Sequence, residues 1–190
     1  MFIPFHKPLY VSSISLVVLL FIRCQQPLPI VQPELGTKEV EIIQHDNFKF
    51  KDLNRNSQLD PYEDWRLSAE DRAEDLLSQM NLEQKIGFML ISTIRMENES
   101  GFGQSSAEKL PNGDGLSEVD VTSSINFFTR VPLDDPFMSS AGTTKAVSEF
   151  HGRHFILRAN PGVATMASWQ NNLQELCEQQ PLGIPAIVAS

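Results

Sequence analysis

Residues 154–189 read HFILRANPGVATMASWQNNLQELCEQQPLGIPAIVA. The stretch opens on His154-Phe-Ile-Leu-Arg158, a short apolar run of strand type. Asn160-Pro161 then restarts the chain as a helix with proline in its first turn. Met166, Trp169, Leu173, Leu176 and Cys177 fall on one side of that helix, because residues three and four apart share a face. Pro181-Leu-Gly-Ile-Pro185 breaks it. Residues 184–189, IPAIVA, are apolar throughout and read as a strand, a terminal parallel strand with no covering helix and so half of a repeat. Strand, helix, strand is the repeating unit of parallel α/β folds, so the fold class is read as α/β.

Working upstream, the helical signals continue. Ser68 followed by Asp71 predicts a helix start, with Ala69, Ala73, Leu76, Leu77 and Met80 on one face and acids on the other. Asn81 with Gln84 predicts a capping box opening a second short helix. Residues 86–94, IGFMLISTI, end as a strand or buried segment. A short helix is expected from Thr143 to His151, with Ala146, Val147 and Phe150 as its apolar side. Residues 97–124 are rich in Gly, Ser, Asn and acids and read as a flexible insertion.

The whole chain has 190 residues, with 24 acidic against 15 basic and a formal net charge of -9. That balance argues against a nucleic-acid partner, which needs a basic face to displace counterions. No tract reaches the ~18–20 apolar residues of an ordinary spanning helix. The first residues do carry a targeting pattern. A weakly basic start, the apolar run 9–22 and a polar, proline-rich exit describe an export signal over 1–24. Cys24 stands where a lipoprotein signal places its acylated cysteine, although Arg23 before it is neither small nor neutral. A lipid there would tether the chain to a membrane. Residues 25–47 read as a linker, with folding signals from 48 onward.

Residues 52–63, DLNRNSQLDPYE, place oxygen-bearing side chains at loop positions 1, 3, 5, 7, 9 and 12. These are Asp52, Asn54, Asn56, Gln58, Asp60 and Glu63. A twelve-residue calcium loop has this spacing, because a tightly wound loop turns alternate side chains toward the ion and the last glutamate closes the shell. Ser57 replaces the glycine that normally makes the sharp turn, and Pro61 is unusual there. An Asx-rich turn that caps the following helix accounts for the same residues. Any calcium here is expected to be structural.

Four stretches together resemble the N-terminal part of the family 3 glycoside hydrolases, the β-glucosidase family. They are KDLNRNSQLDPYEDWRLSAEDRAEDLLSQM, MNLEQKIGFML, HGRHFILRANPG and WQNNLQELCEQQPLGIPAIVAS. The second resembles the family pattern Met-Thr-Leu-Glu-Glu-Lys-Ile-Gly-Gln-Met, from which Asn81, Gln84 and Phe88 depart. LGIPAIVAS resembles the strand leading to the first sugar-binding aspartate. The resemblance covers residues 48–190 and implies the opening of a TIM-type (β/α)8 barrel, about two of its eight strands. It implies retaining hydrolysis of terminal β-linked sugars in a longer form of the protein, with oligosaccharides or β-glucosides as substrates. No cofactor is required for that chemistry, in which one carboxylate attacks and a second carboxyl group acts as acid and then base.

None of the family's catalytic residues matches a position in this chain, so the 190 residues alone are expected to be inactive. The local acids are explained otherwise: Glu83 opens a helix, and Glu149 and Glu175 sit on polar helix faces. His151 and His154 lack the continuous helix that a metal pair needs. Arg158 falls at the C-terminal end of an expected barrel strand, where barrel enzymes place substrate groups, and is the candidate substrate contact. Export implies a periplasmic or extracellular location. The competing expectation is a non-catalytic, calcium-stabilised secreted binding module, with Tyr62, Trp65 and Trp169 as candidates for an aromatic platform.

Overall fold

The computed structural model describes residues 30–96, 115–126, 128–157, 159 and 161–189. The chain divides into two units, residues 1–33 and 34–190. Of the first, only residues 30–33 are described, without regular secondary structure. The export signal and Cys24 lie outside the described residues, as does Arg158.

The second unit begins with a hairpin. Strand β1 (Ile42–His45) pairs antiparallel with β2 (Phe48–Lys51) in the register His45 opposite Phe48. Asp46 and Asn47 make the turn with φ of 49° and 66°. Two successive positive φ angles are what a two-residue hairpin demands, and Asp and Asn tolerate them best after glycine. Part of the expected linker therefore belongs to the fold. Val40 is buried as well.

Helix α1 (Ala69–Gln79) starts where Ser68 accepts a hydrogen bond from the Asp71 amide. Helix α2 (Leu82–Met89) starts with the full capping box of Asn81 and Gln84. Both starts match the sequence signal. The expected apolar face of α1 is not covered, however: no residue inside the helix is buried, and Leu77 is half-exposed. Only Met80, at its C-terminal cap, is buried. Gly87 of α2 packs against the turn at 150–151, where a Cβ would stand 2.1 Å from the Phe150 carbonyl oxygen. Only glycine permits that approach.

Strand β3 (Ile91–Ile94) follows directly. Beyond it, β4 (Val121–Ile125) and β5 (Pro132–Ser140) form a second antiparallel hairpin with irregular register. The sequence reading missed it, and β4 begins inside the stretch expected to be flexible. Helix α3 (Thr143–Ser148) comes next, with Ala146 and Val147 buried and Phe150 beyond it exposed. Then come β6 (His154–Leu157), α4 (Val163–Glu178), a short 3-10 turn at Pro181–Gly183 and β7 (Ile187–Ala189). Gly162 is the N-cap of α4, so Pro161 precedes the helix rather than occupying its first turn. The final strand is half the expected 184–189.

β3, β6 and β7 form a parallel sheet in that order. This is one parallel strand more than expected. A closed barrel is not present among the described residues. One face of the sheet is packed: Ile94, Phe155 and Leu157 are buried with Trp169, Leu173 and Cys177 of α4. Those three helix residues are spaced by four and so form one stripe. The other face is largely open, with Phe88 of α2 packed on it at His154. Ile91, His154 and Ile187 align across the three strands, and Thr93, Ile156 and Ala189 form the next row. Ile91 is 71% exposed and Ile187 63%. Parallel sheets normally have both faces covered.

Candidate functional site

The 52–63 loop connects the hairpin to α1, and hydrogen bonds close it on itself. Asp52, almost wholly buried, accepts from the backbone amides of Asn56 at 3.0 Å and Ser57 at 2.9 Å. Asn54 and Asn56 accept backbone amides from Asn56 and Gln58 through their Oδ1 atoms, at 3.1 Å and 2.8 Å. Their Nδ2 atoms both donate to Asp60 Oδ2, at 2.6 Å and 2.7 Å. Such side-chain to backbone bonds are why Asx residues dominate turns. Arg55 and Ser57 adopt φ of 60° and 59°. Serine therefore takes the left-handed conformation expected of the missing glycine, and the loop's own bonds offset the cost.

Glu63 is the staple of the loop. It is 4% exposed. Its Oε1 accepts from the amides of Leu53 at 2.6 Å and Asn54 at 3.3 Å, and its Oε2 from Asp60 at 3.1 Å. Burial raises its carboxyl above the ordinary range, and the three amides offset only part of that rise. Burial likewise raises the Tyr62 hydroxyl. Beside them, Arg66 grips Asp64 through Nε and Nη2 and holds that carboxyl below its usual range.

A metal in this loop would have to displace some of these hydrogen bonds. Among the described residues no group of three or more His, Cys, Asp or Glu gathers around one point. Both oxygens of Glu63 are committed to backbone amides, and both asparagines turn nitrogen rather than oxygen toward Asp60. The hydrogen-bonded turn accounts for each of these side chains without an ion. Gln58 is exposed and points to no partner in the loop through its side chain.

The loop is anchored to the parallel unit. Arg55 Nη2 donates to the Glu178 carbonyl at 2.8 Å, where a cation complements the C-terminus of α4. Leu53 packs on Gly183, where a Cβ would stand 2.8 Å from the Leu53 carbonyl oxygen. Glu178, also buried, takes Lys51 Nζ on Oε1 at 2.7 Å and the amides of Lys38 and Glu39 on Oε2. Burial opposes its ionisation, but Lys51 and the two amides prevail and hold its carboxyl below the usual value.

Arg153 is a buried charged residue that the sequence reading passed over, although it sits inside the H-G-R-H stretch. It is 4% exposed and donates to the carbonyls of Val147 at 2.9 Å, Gly152 at 2.7 Å and Ile184 at 2.8 Å. It thereby ties the end of α3 to the approach to β7. Burial pushes its guanidinium below the ordinary value. His154 Nδ1 lies 2.9 Å from the Phe88 carbonyl oxygen, so it serves packing between α2 and β6. Cys177 is a buried free thiol whose ionisation burial disfavours. Of the three aromatic candidates, Trp169 and Tyr62 are buried. Trp65 stacks on Phe50 at 5.6 Å and donates its indole N–H to the Lys49 carbonyl. They do not form one platform.

No family model matches the chain. Over 160 residues the chain is 31% identical to a periplasmic beta-glucosidase/beta-xylosidase of Dickeya chrysanthemi, an alignment that takes in 84% of this chain. The chain spans only about a fifth of that relative's length, 20%. The relative's periplasmic location is consistent with export of this chain. The similarity supports a glycosidase-like relationship for a mixed α/β chain built on a parallel sheet.

Proposed function

We propose that these 190 residues are the N-terminal part of an exported family 3 glycoside hydrolase that cleaves terminal β-linked glucosides or xylosides with retention. The observation that carries this reading is the 31% identity to the periplasmic beta-glucosidase/beta-xylosidase over 84% of the chain. The sheet supports the barrel part of the reading. β3, β6 and β7 are parallel and lie side by side in the sheet in the order in which they occur along the chain, and their open face carries Ile91, Ile156 and Ile187. In a (β/α)8 barrel that face is the packed interior and the helix-covered face the outer wall. Strands from elsewhere in a longer protein would cover it.

No residue described here is assigned a part in bond cleavage. The attacking carboxylate and the acid/base carboxyl belong, in this proposal, outside the 190 residues, and their separation of roughly 5–5.5 Å sets retention. Arg158, following β6, is the proposed sugar contact. The experiment is hydrolysis of an aryl β-glucoside and an aryl β-xyloside by the longer protein, followed by proton NMR. The first product is expected to be the β-anomer; an α-anomer first, or no hydrolysis of either, overturns the proposal. Tethering through an acylated Cys24 belongs to the same reading. It predicts fatty-acid labelling that Cys24→Ser abolishes, and an unlabelled wild-type protein refutes it.

A structural calcium in the 52–63 loop is the second part of the proposal, supported by the oxygen spacing and by the left-handed φ at Ser57. Binding would require Asn54 and Asn56 to turn their carbonyl oxygens inward and Glu63 to exchange amides for the ion. Calcium at ~100-fold above its Kd would add about 2.7 kcal/mol of stability. The expected result is a melting temperature that rises with calcium in the wild type and not in Asp52→Ala. An equal response in both proteins, or none in either, leaves only the hydrogen-bonded turn.

A further inference from the structure

We propose that the cleft between residues 36–38, Lys51 and the polar face of α4 is a second binding site, for a neutral, hydroxyl-rich ligand of the oligosaccharide class. The cleft encloses about 540 Å³, within the roughly 300–1,000 Å³ of small-molecule sites. Its charges cancel. Lys38 Nζ pairs with Glu175 Oε2, and Lys51 Nζ with Glu178 Oε1 at 2.7 Å. Two internal pairs leave neither sign in excess, so the cleft selects neither an anion nor a cation. No aromatic or large aliphatic side chain lines it, so an apolar ligand gains nothing by entering.

The lining does offer paired donors and acceptors. Ser168 and Asn171 lie three residues apart on α4 and so face the cleft side by side. Both are exposed, and their side chains make no hydrogen bond among the described residues. A hydroxyl beside a primary amide can donate and accept at once, which is what adjacent sugar hydroxyls require. Glu178 forms a fixed floor, since both its oxygens are already held. Without a stacking ring, the affinity is expected on the order of 1 mM. The chemical class follows from the cleft itself; the choice of β-linked probes rests on the glycosidase reading.

The test is proton–nitrogen NMR of the 190-residue chain titrated with cellohexaose and xylohexaose to 10 mM. The shifts are read residue by residue, so those at this cleft are separated from any beside the proposed sugar contact at Arg158. Shifts confined to residues 36–38 and 168–178, and lost at least fivefold in Ser168→Ala/Asn171→Ala, support the site. Both substituted residues are exposed, so the double variant keeps the fold. Absent shifts, or shifts unchanged in the double variant, overturn it. Hydrolysis by the longer protein is read separately, so either proposal can fail without the other.

Discussion

Replacing Glu63 with alanine is expected to destabilise the folded chain by about 3 kcal/mol, since a hydrogen bond to a charged group is worth ~1.5–3 kcal/mol and a buried donor left unpaired costs ~1–3 kcal/mol. Three backbone amides lose their acceptor: Leu53, Asn54 and Asp60. The figure stays below the full sum for two reasons. The Asn54 bond is long at 3.3 Å. Residues 55–58 are exposed, so water reaches part of the opened loop. Glu63→Gln should cost less, because one carbonyl oxygen remains to serve Leu53 and Asn54, while its amide nitrogen meets the Asp60 N–H as a second donor. Burial already raises the Glu63 carboxyl, so a neutral group is tolerated there. Urea unfolding followed by circular dichroism reads both variants. A loss under about 1 kcal/mol for the alanine variant would show that water replaces the staple freely.

Arg153→Met is the second large effect, again about 3 kcal/mol, from three buried carbonyls that lose their donor. Methionine keeps most of the volume and flexibility, so little of the loss is cavity formation. Arg153→Lys should recover only part of it. One ammonium cannot reproduce a planar fork that reaches Val147 and Gly152 on one nitrogen and Ile184 on another. The expected loosening is directional. Hydrogen exchange should rise first at Ile187, whose amide is held by the Arg153 carbonyl at 2.7 Å. If Met and wild type unfold at the same urea concentration, the guanidinium contributes nothing net to the link between α3 and β7.

Those two residues also mark what the sequence could and could not reveal. Helix starts were legible because their signals are local: Ser68 and Asn81 each bond an amide three residues on. The stripe of Trp169, Leu173 and Cys177 was legible because its period is that of a helix against a sheet. The β6–α4–β7 unit followed from the same logic. The hairpin β4–β5 was not legible, because Pro132, Pro136 and the acid pair Asp134-Asp135 oppose a strand assignment. Pairing between strands overrode local preference there. Hairpin β1–β2 was hidden for a related reason, since Asp46-Asn47 lacks the glycine that usually signals such a turn.

The candidate site was legible in identity and not in arrangement. The spacing of Asp52, Asn54, Asn56 and Asp60 signalled a calcium loop and an Asx-rich turn alike. The spacing could not say that the amide nitrogens, rather than the oxygens, meet at Asp60. Arg153 left no sequence signal, because it lies five residues past the end of α3 and its partners are backbone carbonyls, those of nearby Val147 and Gly152 and of distant Ile184. Arg158, chosen for its place at the end of a strand, falls outside the described residues.

The most direct measurement compares hydrolysis of aryl β-glucoside and aryl β-xyloside by the 190-residue chain and by the longer protein at equal concentration. Turnover is expected from the longer protein and none from the chain alone. Turnover by the chain alone would contradict the proposed function, because the chemistry would then belong to carboxylates assigned here to turns and helix surfaces.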